Sequence, residues 1–324
     1  MNAMDDYAGF IGKLKASRLF LVVSHYSPDG DAIGSTIAMG MALEMMGKQA
    51  VLYNRDPLPD NLRFLPGADK FVSVIPSGAH FDMAIMVDCA QRKRISDDFA
   101  ASGAFASVAC IDHHKLKGVE ADIVLLDDAA ASTGDVVLRL VEHAGLPVGP
   151  ELAQCIYTTL VVDTGFFRYS STDSRVFSLA SKLVSLGASP WDVAKNLEES
   201  YPEARLKLLA GSLATLSLDL NGRYAAMDVT AKMLKETGAC MEFSDEFTTY
   251  PRSIKGVEVA ALFREVDAGH VKVSLRSKDT VDVAELARGM GGGGHARAAG
   301  LRIKATMEEA KLRLREAVEK ALKS

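Results

Sequence analysis

Between residues 19 and 186, short and continuously apolar runs alternate with helical stretches, and few architectures accept that pattern. The runs are Leu19–Val23, 50–53, 71–75, Met83–Val87, 107–111 and Ile123–Leu126; the helical stretches are 33–46, 133–144, 151–162 and 173–186. A strand that is apolar along its whole length is buried on both faces, and strands separated by helices pair in parallel. The expected fold is therefore α/β, with an N-terminal, mostly parallel sheet flanked by helices. Gly187-Ala188-Ser189-Pro190 breaks the pattern, and helices at 191–197 and 205–216 read as connectors to a second domain. There, 218–220 and 224–229 read as a hairpin about a type I′ turn at Asn221-Gly222. A second hairpin joins 257–264 to 271–276 through Asp267-Ala268-Gly269-His270. A helix (Val283–Arg288), a glycine loop running into a helical, small-residue segment, a strand (300–303) and a charged helix (307–322) complete a smaller α+β domain. The expected bounds are 1–187, a helical linker at 188–217, and 218–324.

The polar residues gather where such a sheet binds ligands. His25, Asp29 and Asp31 follow the first apolar run in Ser24-His25-Tyr26-Ser27-Pro28-Asp29-Gly30-Asp31, at the carboxyl end of a strand, the edge that holds ligands in open parallel sheets. Taken alone, this is equally a solvated turn with Asp31 as helix N-cap. Asp88 follows 83–87, and Asp112-His113-His114 follows 107–111, so three polar clusters share one edge. Asp163-Thr164-Gly165 ends the stretch 151–162; an aspartic protease needs two such tripeptides, and one is present. His25, Asp29, Asp31, Asp88, His113 and Asp163 supply oxygen and imidazole ligands without a thiolate, enough for two metal ions if one carboxylate bridges. Such pairs, ~3.5–4 Å apart, drive phosphoester hydrolysis. The mixture of imidazole and carboxylate suits Mn²⁺ better than Mg²⁺ or Ca²⁺.

Charge narrows the ligand. The chain is −5 overall, which argues against coating long nucleic acid, yet residues 251–304 carry ten Lys or Arg against six acids, a net of +4. A locally basic region beside an acidic, metal-binding body suits a short polyanion; a solvated basic surface gives the same count. The four cysteines form no CxxC pair, so neither a disulfide framework nor a thiolate zinc site is expected. The acidic start lacks a basic leader, and no apolar run approaches the ~20 residues that span a bilayer, so a cytoplasmic protein is expected.

In order along the chain, His25-x-x-Pro28-Asp29-x-Asp31-Ala32-Ile33-Gly34, Asp88, Asp112-His113-His114 and Asp163-Thr164-Gly165 resemble the four motifs of the DHH phosphoesterases. Gly291-Gly292-Gly293-Gly294-His295-x-x-Ala298-Ala299-Gly300 resembles the DHHA1 signature of the same family. Tyr250-Pro251-Arg252-Ser253-Ile254 and Ser274-Leu275-Arg276-Ser277 are similar to flanking motifs of its nanoRNase and pAp-phosphatase branch. These motifs span nearly the whole chain.

The resemblance implies a DHH catalytic domain followed by a DHHA1 substrate domain, with two Mn²⁺ per chain. It implies that His25, Asp29 and Asp88 hold the first ion and that Asp31, Asp88, His113 and Asp163 hold the second, Asp88 bridging. It makes Asp112 the partner that orients a histidine ligand. His114 reaches the scissile phosphate or the leaving oxygen, or else is a structural neighbour of Asp112. Arg252, Arg276, Gly292, Gly293, Gly294 and His295 are expected to bind substrate phosphate and sugar, the glycines because bare backbone N–H groups close around phosphate oxygens. The implied activity is hydrolysis of short oligoribonucleotides to mononucleotides and of 3′-phosphoadenosine 5′-phosphate (pAp) to AMP. Cyclic dinucleotide or pApA hydrolysis is the alternative within the family, and a non-catalytic nucleotide sensor the alternative outside enzymes. Expected partners are short RNA, pAp or other small nucleotides, with no long duplex DNA and no membrane, a homodimer being left open.

Overall fold

The computed structural model describes residues 3–114, 118–267 and 269–323. The chain divides into two units, 1–200 and 201–324. In the first, β1 (Leu19–Val23), β2 (Gln49–Tyr53), β3 (Phe71–Val72), β4 (Met83–Val87), β5 (Val108–Asp112) and β6 (Ile123–Leu126) form one sheet in the order β3-β2-β1-β4-β5-β6. Every pairing in it is parallel. Alternate strand residues serve two cores: Phe20, Val22, Ile85 and Ile111 face one, and Leu21, Val23, Met86 and Cys110 the other. That double burial explains the unbroken apolar runs.

The helices of this unit are α1 (Ala3–Ala16), α2 (Gly30–Met45), α3 (Asp97–Ala101), α4 (Thr133–His143), α5 (Pro150–Asp163), α6 (Ser174–Ser185) and α7 (Pro190–Glu198). α1, which the sequence reading passed over, buries Tyr7, Phe10, Ile11 and Leu14 at helical spacing. Helix α2 is buried along most of its length and lies against α5 at short range. A side chain at Gly34 would meet Thr159 Cγ2 at 2.6 Å and the Cys155 carbonyl at 2.9 Å. The contact of Gly30 with Val162 sets the start of α2 beside the end of α5. Helix α7 packs Val193 and Leu197 into the core of this unit rather than standing apart as a connector.

The second unit contains α8 (Glu203–Leu213), β7 (Ser217–Asp219), β8 (Tyr224–Val229), α9 (Ala231–Thr237), α10 (Thr249–Ser253), β9 (Val259–Asp267), β10 (His270–Ser277), α11 (Val283–Arg288), β11 (Gly293–His295), β12 (Ala298–Lys304) and α12 (Met307–Ala321). Its sheet runs β11-β12-β10-β9-β8-β7, antiparallel except for the parallel β8–β9 pair. One face packs on α11 and α12; helix α8 inserts Leu208 into the cluster on the other.

Two local expectations are corrected. The β7–β8 turn is a four-residue loop with Leu220, Asn221 and Gly222 all left-handed (φ +51°, +58°, +77°), not a two-residue turn at Asn221-Gly222. The segment after the glycines is not helical: 293–295 and 298–304 form a β-hairpin, because small residues allow close strand approach. Ala268, in the expected β9–β10 turn, lies outside the described residues. Among the described residues, no helix is long and apolar enough to cross a membrane.

Candidate metal centre

The chain passes from β1 to β2 on one side, then returns after β3 to lay β4 on the other side of β1. This reversal of strand order opens a crevice at the carboxyl ends of β1 and β4. Val23 pairs with Met86 and Val87 with Ile111, so His25, Asp88 and Asp112 fall on one cross-strand row. Asp29 is the N-cap of α2, its Oδ1 accepting from Asp31 N at 3.1 Å and Ala32 N at 3.0 Å. The expected alternative, Asp31 as the cap, is thereby corrected: Asp31 lies inside the first turn and is buried. Asp163 ends α5 beside it.

The ligand atoms converge. His25, Asp29 and Asp88 place one ligand atom each within 4.8 Å of one another, as do Asp31, His113 and Asp163, and as do Asp88, His113 and His114. Asp88 joins the first and third groups and His113 the second and third. Asp88 Oδ2 lies 3.5 Å from His25 Nε2, and its Oδ1 3.4 Å from His114 Nδ1. His113 Nε2 stands 3.7 Å from Asp31 Oδ2 and 2.9 Å from Asp163 Oδ2. All six residues expected to be metal ligands are brought together.

The surroundings fix these side chains. His25 Nδ1 donates to the Tyr26 carbonyl at 2.8 Å, which turns Nε2 toward Asp88. His113 Nδ1 lies 3.4 Å from the Ala130 carbonyl. Such backbone contacts orient imidazole ligands. Asp112 holds His114, not His113: its Oδ1 accepts from His114 N at 2.9 Å and from His114 Nδ1 at 2.7 Å. Asp31 accepts from Ser35 Oγ (2.8 Å), Thr133 N (2.9 Å) and Gly134 N (3.2 Å), while Thr133 Oγ1 donates to Asp88 at 3.0 Å. The sequence reading missed Ser132-Thr133-Gly134. Its signal was an N-cap serine, Ser132, opening α4 shortly after a strand of the same sheet.

Electrostatics test the fit of a cation. Burial, then repulsion from Asp163 and Asp88, raises the Asp31 carboxyl well above its ordinary range; burial and Asp88 do the same to Asp163. Burial also works to raise Asp88, but hydrogen bonds from His114 and His25 outweigh it and hold this carboxyl low. His114 is pushed up to about 11 by Asp112 and then Asp88. His113 Nε2 is buried and makes no hydrogen bond although a carboxylate is near. Among the described residues, the ion pairs of Asp31, Asp88, Asp112 and Asp163 run to histidine alone, not to Lys or Arg. Crowded buried carboxylates with an unmated imidazole nitrogen are a donor set that divalent cations fit.

In the second unit, Arg276 and His295 both flank Ala298, so they share a row and a face of the sheet. Arg276 is half-buried with Nη1 donating to the Leu275 carbonyl at 3.0 Å; Arg252 is half-buried in α10, and His295 is exposed. Gly292 and Gly294 carry a packing requirement. A side chain at Gly292 would meet the Gly300 carbonyl at 2.3 Å, and one at Gly294 (φ +144°) the Ala298 carbonyl at 2.5 Å. Gly293 faces open space. Part of the positive charge of this segment is spent internally, since Arg264 pairs with Asp245 and Arg297 donates to the carbonyls of Asp279 and Val281.

A doubly wound sheet with a histidine–aspartate cluster at its strand switch point, followed by a mixed-sheet unit, defines a divalent-cation hydrolase scaffold. Residues 19–160 match the DHH family, N-terminal domain, and 224–324 the DHHA1 domain. The chain is 32% identical over 305 residues to the bifunctional oligoribonuclease and PAP phosphatase NrnA of Thermus thermophilus, covering 93% of this chain and 89% of that one. It is 28% identical over 283 residues to its Bacillus subtilis namesake, covering 86% and 87%. An exopolyphosphatase-related protein from Bacteroides fragilis superposes with a TM-score of 0.91 at 29% identity, over 98% of this chain and 96% of that one. The chain belongs to the DHH family of phosphoesterases and carries the DHHA1 domain.

Proposed function

We propose that this chain hydrolyses short oligoribonucleotides to mononucleotides and pAp to AMP, using two Mn²⁺ ions. The observation that carries the reading is the position of Asp88, one buried carboxylate shared between the His25/Asp29 group and the His113/His114 group. His25, Asp29 and Asp88 would hold one ion, and Asp31, Asp88, His113 and Asp163 the other. Bound there, the ions supply charge neutralisation for the phosphoryl oxygens and an acidified water. The chain's own contribution is positioning and one proton. Asp112 grips His114 through Nδ1, which leaves Nε2 to face outward, and the hydrogen bonds to Asp112 and Asp88 favour the protonated ring. His114 can therefore donate to a phosphate oxygen or protonate the leaving oxygen. Arg252, Arg276, His295 and the backbone of Gly292, Gly293 and Gly294 would take the remaining phosphate and sugar of the substrate, through charge-assisted contacts from the side chains.

The names of the similar proteins support this substrate class. The test is a turnover assay with Mn²⁺ or Mg²⁺ on pAp, pApA, a longer RNA, cyclic di-AMP and pyrophosphate, with Asp88→Asn as control. Cleavage of pApA and pAp, strongest with Mn²⁺ and lost in the variant, supports the reading. Preference for cyclic di-AMP or longer RNA would overturn the substrate assignment, and metal-independent binding without turnover would favour a sensor.

A further inference from the structure

The loop that carries His25 is fixed by bonds that leave the Tyr26 ring out. Tyr26 N donates to the Arg94 carbonyl at 2.8 Å, and the Tyr26 carbonyl accepts from His25 Nδ1 at 2.8 Å. Buried Asn54 donates to the His25 carbonyl at 2.9 Å and to Ser24 Oγ at 3.0 Å, and its own Oδ1 accepts from Asp56 N at 3.0 Å. Asp56 Oδ2 then accepts from Ser27 N at 2.7 Å, bracing a residue held at φ +50°. The main chain of the loop is thus located without help from an aromatic group. The ring belongs to none of the hydrophobic clusters among the described residues and is 42% exposed. Packing gives no reason for a tyrosine here.

The side chain beside it gives one. Arg55, from the segment after β2, places its guanidinium over the Tyr26 ring, 4.9 Å from the centroid, with Nε donating to Asp56 Oδ1 at 3.4 Å and, among the described residues, the terminal nitrogens left for a ligand. A flat ring and a cation therefore stand together next to His25. A ring with two rotatable bonds on a braced main chain loses little entropy when a flat ligand stacks on it. Sites for single-stranded nucleic acid join these two elements, an aromatic face for a base and a cation for the backbone.

We propose that Tyr26, backed by Arg55, is the nucleobase platform of the metal centre. The ring stacks on the base of the nucleotide whose phosphate is hydrolysed, and the guanidinium pairs with an adjacent phosphate oxygen. This rests on the nucleotide reading above and adds what that reading lacks, a contact selecting for a base.

The test compares ligands that differ only in the base: pAp with ribose 3,5-bisphosphate for turnover, and AMP with ribose 5-phosphate for binding by calorimetry. Tyr26→Ala is expected to raise KM for pAp roughly 5- to 100-fold, the range of one base–aromatic stack, and Tyr26→Phe to restore it. The KM for the base-free bisphosphate is expected to stay within about two-fold, below the smallest effect expected of a lost stack. The preference for AMP over ribose 5-phosphate is expected to fall by the same factor as pAp is weakened. Equal losses on both bisphosphates would overturn the proposal, because Tyr26 would then be placing His25. An unchanged AMP preference would overturn it too. Were the wild type to turn over neither bisphosphate, the pAp half of the hydrolase reading would fall, while the two affinities would still decide the platform.

Discussion

Thr133 Oγ1 donates a hydrogen bond to Asp88 Oδ1 at 3.0 Å, and both side chains are buried. The N–H groups of Thr133 and Gly134 point at Asp31, so the first turn of α4 holds two of the clustered carboxylates at once. Without this turn, two buried carboxylates would lose their fixed donors.

Replacing Thr133 with Val keeps the shape and the N–H but removes the donor to Asp88. The Mn²⁺ concentration for half-maximal activity is expected to rise about 10- to 100-fold, the usual effect of losing a group that orients a ligand. Titration of activity with Mn²⁺ checks this, and Thr133→Ser is expected to restore the wild-type curve.

Asp112→Asn preserves the shape around His114 while replacing the carboxylate whose hydrogen bond most raises its pKa with a neutral acceptor. A protonated His114 is available below its pKa and lost above it. Weakening the cause of the raised value therefore moves the alkaline limb of the pH–rate profile down, by about one pH unit or more for loss of a contacting charge. An alkaline limb that stays in place in the variant would remove His114 from the proton-donating role.

The glycine run separates into two kinds of position. Gly292→Ala is expected to cost about 1–3 kcal/mol of stability, because the new methyl group collides with the Gly300 carbonyl and Leu301. Gly293→Ala meets nothing and is expected to leave the melting temperature unchanged. If the backbone at Gly293 grips a phosphate, the same variant raises KM for pApA. Thermal melts and steady-state kinetics on the two proteins decide between packing and binding.

Strands β1 and β4 were legible to the residue because burial on both faces leaves no polar position to blur their ends; β6 was legible too, although Val124 and Leu126 are exposed at the edge of the sheet. The convergence of the histidines and aspartates was legible for a related reason: such residues placed after apolar strands of one sheet fall on one edge of it. What failed to show was whatever depends on partners distant in sequence. Thr133 reads as an ordinary first-turn residue until Asp88 is seen beside it, 45 positions away. The 293–304 hairpin was hidden because alanine favours helix, and only a pairing across the sheet overrides that preference. Helix α1 was a different failure, since Tyr7, Phe10, Ile11 and Leu14 carry the period openly. The hairpin turn at 220–222 was misjudged because Leu220 is a residue that seldom takes a left-handed conformation.

Asp88 also takes a left-handed backbone, at φ +56°. Glycine fits that conformation with ease and brings no ligand. Asparagine fits it and matches the shape, but arrives without the charge. Glutamate keeps the charge, yet its longer arm would carry the carboxylate away from the point where His25, His114 and Thr133 converge. Backbone and proposed chemistry together favour aspartate at this position, and Asp88→Asn is expected to leave the fold intact while removing the proposed ligand charge.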